Sequence, residues 1–351
     1  MGSVTIAIIA YYREFLADCL LSILEQTYKD IKVIVYDDCS PEDLKSIVDR
    51  FDDSRLFYRK NEKNLGTFKN TNQALDLCDS EYINVFHGDD KMFPWMIEKL
   101  VESMERYPSA GIALSSRMCG MNTCDVSRYR RVFPGTLYKQ DAFISAMAKS
   151  GRNLAVCPSA LFRKKSIDDF DIRFRPDVGP AADLYCWFEA NHKGMDLYSI
   201  DVPIMETRGH DKSWSNLTSA DVWSESLKEI DDYVTDANFD TLVLSGLREY
   251  MAKMDILYFS MALAASGDDL CKIFSRRDYL RSEMNWSMRD SIFNDAVSIG
   301  YINNLIAQSQ HNRVFISECK KRISDLKKIG LHVPLIRKLK WFINHGVWIG
   351  L

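Results

Sequence analysis

The sequence lacks any apolar run of about 18 residues, any Cys-x-x-Cys pair, any strong excess of one charge, any internal repeat and any low-complexity segment. Each absence excludes something. Without a long apolar run no segment reads as a membrane-spanning helix, and the best candidate, Ile256 to Ser266, suits a buried helix instead. The nine cysteines fall without pattern, as expected of reduced thiols in the cytosol rather than a disulfide framework. Cys119 and Cys124 are near enough in sequence to meet in a hairpin, but the unpaired reading is preferred. The net charge of -4 gives no general attraction to nucleic acid or anionic membrane, so any such contact must be local. The first residues, MGSVTIAIIAYYREF, lack the charged start and long apolar core of a signal peptide. Ile6 also stands where a myristoylation site wants Ser or Thr. The expectation is a cytoplasmic protein that neither spans a membrane nor binds nucleic acid.

What is there suits a globular chain: 351 residues, 46% hydrophobic and 27% charged, enough for one large domain and a smaller one. The first hundred residues alternate strand and helix. Val4–Ala10, Ile31–Tyr36, Leu56–Tyr58 and Tyr82–Phe86 read as strands. Phe15–Gln26, Pro41–Phe51, Thr67–Leu77 and Pro94–Tyr107 read as helices. Further on, Gly111–Ser116 and Val156–Phe162 read as strands, Tyr138–Lys149 and Asp183–His192 as helices. From Ser219 the pattern is helical almost throughout, which sets a boundary near residue 217. The series predicts an α/β fold, a doubly wound, Rossmann-like sheet of mixed or parallel strands, followed by an α-helical C-terminal domain.

In open α/β sheets ligands bind beyond the carboxyl ends of the strands. Three polar clusters stand there: Tyr11-Tyr12-Arg13-Glu14, Asp37-Asp38 and Gly88-Asp89-Asp90. One acidic pair can be a helix cap, and Asp38 or Ser40 is placed to cap a helix beginning near Pro41. Two such pairs at neighbouring strand ends are harder to dismiss, because adjacent carboxylates repel and call for a cation. A solvated turn paired with Lys91 is the bland alternative for Asp89-Asp90.

The stretches TIAIIAYYREFL, SILEQTY, IKVIVYDDCSPED, NLGTFKNTNQAL, EYINVFHGDD, AADLYCW and RGHDKSWS, in this order, resemble the inverting glycosyltransferases of family 2, with the GT-A fold. The likeness covers roughly the first 215 residues. It implies a domain at 1–216 that transfers a sugar from a nucleotide-sugar, in the first instance a UDP-sugar, to a hydroxyl of a glycan or lipid-linked glycan, as in O-antigen or capsule synthesis. Residues 217–351 would then be the helical domain. By resemblance Asp183 is the catalytic base, and Asp90 with His210 holds Mn²⁺ or Mg²⁺. Ala10, Tyr11, Tyr12, Glu14, Asp38, Asn64, Gly66 and Asp89 bind the nucleotide-sugar, Asp38 by accepting a uracil N–H and Asp89 by orienting the ribose or sharing the metal shell. At a helix start Asp183 is expected to stay ionised, and Trp187 to face the core. The sequence departs from the family at Ala10 and Tyr12 in the first loop, at Thr71, at His87 (the first Asp of an Asp-x-Asp) and at Ala182.

Residues 319–351 carry eight Lys or Arg against one acid, Asp325. Within them 334–351 reads as a basic amphipathic helix, with Leu335, Leu339, Phe342, Ile343 and Val347 on one face and Trp341 and Trp348 beside them. That suits peripheral contact with the anionic inner face of a cell membrane; a last helix docked on the helical domain is the alternative. The helical region also offers surface for a homodimer. Two rival functions remain open. A nucleotidyltransferase of similar fold usually has a Gly-rich basic loop after its first strand, which YYREF is not. A catalytically silent nucleotide-sugar-binding or assembly protein is the other.

Overall fold

The computed structural model describes residues 2–12, 14–120, 134–208, 218–266, 268–269 and 271–308. The sheet half runs β1 (Val4–Ala10), α1 (Leu16–Leu24), β2 (Ile31–Asp37), α2 (Lys45–Val48), β3 (Leu56–Lys60), α3 (Thr67–Asp76), β4 (Tyr82–His87), β5 (Lys91–Met92), α4 (Met96–Arg106) and β6 (Ala110–Ser115). There follow β7 (Cys119–Gly120), β8 (Gly135–Tyr138), α5 (Ala142–Ser150), β9 (Leu161–Arg163), α6 (Lys164–Asp169), α7 (Ala182–His192), β10 (Asp196–Ile200) and β11 (Met205–Thr207). Four helices complete the described chain: α8 (Ala220–Asp236), α9 (Thr241–Ser266), α10 (Lys272–Ser282) and α11 (Asp290–Gln308).

Eight strands form one sheet in the order β3-β2-β1-β4-β9-β6-β10-β8. β3, β2, β1 and β4 are mutually parallel, as the alternating strand and helix pattern requires. β9 runs against both β4 and β6, and β8 against β10, so the sheet is mixed. A small second sheet has the order β5-β11-β7, β5 following β4 in the chain. Alternation along the strands sorts side chains to two faces. Val4, Ile6 and Ile8 of β1, with Tyr82 and Phe86 of β4, pack under α1 and α4; Ala7, Ile83 and Val85 pack under α3, α5 and α7. On α4 the spacing Met96, Ile97, Leu100, Val101, Met104 puts every buried residue on one stripe. Burying each contributes about 1.5–3 kcal/mol.

The second core does not stop at residue 217. Trp223, Leu227, Ile230 and Val234 of α8, with Leu247, Tyr250 and Met251 of α9, join the same buried cluster as Phe143, Trp187 and Leu197. The two long helices α9 and α11 cross closely at Gly300, where a Cβ would come within 2.4 Å of the Leu257 carbonyl oxygen.

Two local expectations need correction. The helix read over Pro41–Phe51 is only Lys45–Val48, capped by no side chain; Ser40 instead donates to the Tyr11 carbonyl, and Asp38 faces another loop. The strand read over Val156–Phe162 begins only at Leu161, because Pro158 forms a 3-10 turn at Cys157–Ser159. The cysteines are not all unpaired either: Cys119 is disulfide-bonded, whereas Cys19, Cys39, Cys78, Cys157, Cys186 and Cys271 are free. No helix of the described residues is long and apolar enough to cross a membrane. The basic segment 334–351 lies outside the described residues.

Candidate active site

Strand register brings the three polar clusters together. Ala10 at the end of β1 pairs with Asp37 at the end of β2, and Ile9 pairs with His87 at the end of β4. The Asp38 amide donates to the Ala10 carbonyl at 3.0 Å, and Gly88 donates to Ile9 at 3.1 Å. Tyr11 and Tyr12 meet edge to face, centroids 5.1 Å apart, and Tyr11 is exposed. Glu14 is exposed as well. A ring standing out at a ligand edge rather than in the core is open for stacking.

The two β2 aspartates are occupied by the protein. Asp37, fully buried, accepts from the Ser40 amide at 2.6 Å and from the Tyr58 hydroxyl, with Lys60 at 3.6 Å. The Asp38 carboxylate accepts from Asn61 Nδ2 at 3.0 Å and from the amides of Leu65 and Gly66, each at 2.8 Å. Asn64 completes the clasp, donating to the Asp38 carbonyl at 3.2 Å and accepting from the Gly66 amide at 3.1 Å. Gly66 has φ +79°, a left-handed conformation that favours glycine and turns the chain into α3. Asp38 therefore folds the loop carrying Asn64 and Gly66 against the β2 end. With three bonds already accepted, it has one lone pair left for any base N–H.

At the β4 end, donor atoms of His87, Asp89 and Asp90 lie within 4.8 Å of one another. Asp90 is buried, accepts the Arg208 amide at 2.9 Å, and forms no ion pair with a Lys or Arg side chain among the described residues. Burial first, and then the neighbouring Asp89 charge, push its carboxyl well above the ordinary range. Burial lowers the His87 imidazole against the pull of Asp89, which keeps it neutral and able to offer a lone pair. A buried carboxylate repelled by a half-buried neighbour, beside an imidazole, is a donor set a divalent cation satisfies, and the residues fit Mn²⁺ or Mg²⁺. His87 was read from the sequence as a departure from Asp-x-Asp. Its place two residues before Asp89 was the signal that it belongs to the cluster. Arg208 was quoted in the RGH stretch without a role. Its guanidinium lies 4.2 Å over the Phe15 ring, donates to the Asp89 carbonyl at 3.2 Å and pairs with Asp18 at 3.2 Å. His210 lies outside the described residues.

Asp183 stands at the start of α7, where Oδ1 accepts the Leu184 amide at 2.7 Å. Topology carries it to the same edge. β9 runs antiparallel to β4 from Leu161 opposite Asn84, so the turn at Cys157–Ser159 extends toward His87, and the charge of Asp183 acts on Cys157. Asp183 is ionised at neutral pH, as expected, but it is less acidic than an ordinary carboxyl. Burial outweighs the hydrogen bonds from Leu184 and its own amide, and raises the carboxyl to about 6. Trp187, one turn on, is fully buried against Phe162 and Phe174, in the core.

With this geometry in place, known proteins can be compared. The description Glycosyl transferase family 2 matches residues 5–170. These residues belong to glycosyl transferase family 2. The putative teichuronic acid biosynthesis glycosyltransferase TuaG of Bacillus subtilis is 22% identical over 220 residues, 62% of this chain and 81% of its own. The UDP-Glc:alpha-D-GlcNAc-diphosphoundecaprenol beta-1,3-glucosyltransferase WfaP of Escherichia coli is 33% identical over 106 residues, 30% of this chain and 42% of that protein. Among solved structures, S. aureus TarS residues 1–349 in complex with UDP-GlcNAc superposes with TM-score 0.57 at 16% identity, covering 88% of this chain and 91% of that fragment. The mannosyltransferase PcManGT from Pyrobaculum calidifontis, in complex with GDP-Man and Mn²⁺, gives 0.53 at 15%, covering 87% of each chain. At such identity the structures establish the fold, which is GT-A with a helical C-terminal region. The His87, Asp89 and Asp90 cluster lies beyond the carboxyl end of β4, where open α/β sheets bind their ligands.

Proposed function

We propose that the protein is a metal-dependent inverting hexosyltransferase that takes its sugar from a UDP-sugar and places it on a hydroxyl of a glycan or lipid-linked glycan during surface-polysaccharide assembly. The observation that carries the reading is Asp183, a carboxyl with pKa about 6 on the strand edge that also gathers His87, Asp89 and Asp90. Inversion needs a base on the face opposite the leaving group, and a base poised near working pH does this best. Asp183 takes the acceptor proton. His87, Asp89 and Asp90 would hold the cation, which when bound supplies positive charge to the departing diphosphate. Asn64 and Gly66 line the nucleotide side with Ala10, Tyr11, Tyr12 and Glu14, Tyr11 offering its exposed ring to the base. Asp38 sets that loop and keeps a single lone pair toward it.

The printed activities of the relatives support the donor and acceptor classes. WfaP is named for UDP-Glc and a diphosphoundecaprenol-linked sugar, and TarS was crystallised with UDP-GlcNAc. PcManGT binds GDP-Man with Mn²⁺, which supports the cation and leaves the base to be tested. Peripheral contact of 334–351 with anionic lipid fits an acceptor held on a lipid carrier. The test is turnover of UDP-glucose or UDP-GlcNAc, both α-linked, on an α-GlcNAc-diphospho-lipid acceptor with Mn²⁺, followed by proton NMR of the new linkage. A β-linked product is expected. An α-linked product would refute inversion, and no transfer or UDP release from either donor would refute the donor assignment.

A further inference from the structure

We propose that the helices after residue 217 build the acceptor side of this site, with Tyr250 and Tyr258 of α9 and Trp223 of α8 forming an aromatic subsite for the acceptor sugar facing Asp183. The inference rests on the reading of Asp183 as the base and adds which residues receive the acceptor. Three observations carry it.

The first is unspent hydrogen-bonding capacity. Trp223 is 7% exposed, and its indole N–H is buried with no partner. Tyr250 is 3% exposed, and neither its hydroxyl nor that of Tyr258 bonds to a described residue. A buried donor without a partner costs stability, so the Trp223 N–H needs a reason, and the two tyrosine hydroxyls beside it have hydrogen-bonding capacity to spare. The second is their location. Trp223 and Tyr258 stack face to face, centroids 3.7 Å apart and 7° from parallel. The Asp183 charge acts on both Tyr250 and Tyr258. The third is a latch. Ser226, one helical turn after Trp223, donates no bond to its own helix; its Oγ instead accepts the Ala181 amide at 2.8 Å, two residues before Asp183. Gly179, at φ +82°, lets the chain turn beneath it. α8 thus fixes the segment that presents Asp183 while α8 and α9 supply the wall across from it.

An acceptor sugar has the complementary chemistry. Its hydroxyls accept from Tyr and Trp donors, and the C–H face of a pyranose ring packs on an aromatic edge. The residues that would hold metal and nucleotide stand at the ends of β1, β2 and β4. The subsite therefore governs the acceptor and leaves UDP alone.

The test uses the full chain with UDP and Mn²⁺ and two probes, a short-tailed α-GlcNAc-diphospho-lipid and free chitobiose. Saturation-transfer NMR reads glycan binding, and calorimetry reads UDP binding, for wild type, Tyr250→Phe, Tyr258→Phe and Trp223→Phe. Each substitution deletes one polar tip and keeps a ring, so the fold is retained. The expected result is binding of at least one probe, weakened about three- to tenfold by each substitution, with UDP affinity unchanged. Glycan binding untouched by all three substitutions, or neither probe bound by wild type, would overturn the subsite while UDP binding leaves the donor reading standing. Loss of UDP binding in parallel would show a merely structural role. Failure of wild type to bind UDP at all would instead sink the reading on which the inference rests.

Discussion

The raised carboxyl of Asp183 gives a stability prediction as well as a kinetic one. Burial shifts it from 3.8 to about 6, roughly two pH units at 1.36 kcal/mol each, or about 3 kcal/mol. The folded state binds the extra proton between about pH 4 and 6, so the cost of the charged form is fully present above pH 6 and gone below pH 4. Partial exposure screens part of this, which brings the net cost to about 2 kcal/mol. Asp183→Asn removes the charge and keeps the shape. It is expected to unfold in urea at higher concentration than wild type at pH 8, and the gap should close as pH falls to 4. The same variant should lose about 10²–10⁴-fold in transfer. Wild-type transfer should fall tenfold per pH unit below about 6, at saturating donor and metal. A variant equally stable or less stable than wild type at pH 8, or transfer that stays level down to pH 4.5, would refute the reasoning.

Other substitutions test the rest of the site. His87→Asp should move the metal preference from Mn²⁺ toward Mg²⁺, because an imidazole suits the softer ion and a third carboxylate the harder one; Mn²⁺ EPR titration against Mg²⁺ competition reads it. Asp38→Ala leaves the buried Asn61 Nδ2 and two half-buried amides without their acceptor and should cost about 1–3 kcal/mol in urea unfolding. Gly66→Ala, at φ +79°, should cost about 1 kcal/mol and weaken nucleotide binding, measured in the same titration. Deleting 334–351 should abolish sedimentation with anionic liposomes; unchanged sedimentation would remove the membrane role.

The parallel half of the fold was legible because its chemistry is local. Apolar strands alternate with amphipathic helices through Tyr107, and each strand ends in polar residues that register then places side by side. The reversed strand β9 was not legible: three residues, Leu161–Arg163, carry too little pattern, and their direction is set by pairing with β4 and β6. The helix over Pro41–Phe51 was overread because Ser40 bonds the Tyr11 carbonyl rather than capping the helix. In the site, residue types gave the carboxylates but not their state. The Asp183 shift comes from burial by the residues around it, and the clasp on Asp38 from a loop some 25 residues away. His87 was visible all along as a departure; only the 4.8 Å grouping turned it into a ligand candidate. The sequence changes to a helical pattern near 217, yet nothing in that pattern says that Trp223 and Tyr250 join the same buried cluster as Phe143 and Trp187.

The central claim is a metal site at Asp90 that serves a uridine diphosphate. Calorimetric titration with UDP, GDP and dTDP tests it most directly, each with Mn²⁺ and with EDTA, on wild type and Asp90→Ala. The account predicts UDP binding that requires both Mn²⁺ and Asp90. UDP binding indifferent to either, or no binding of any of the three nucleotides, would contradict it.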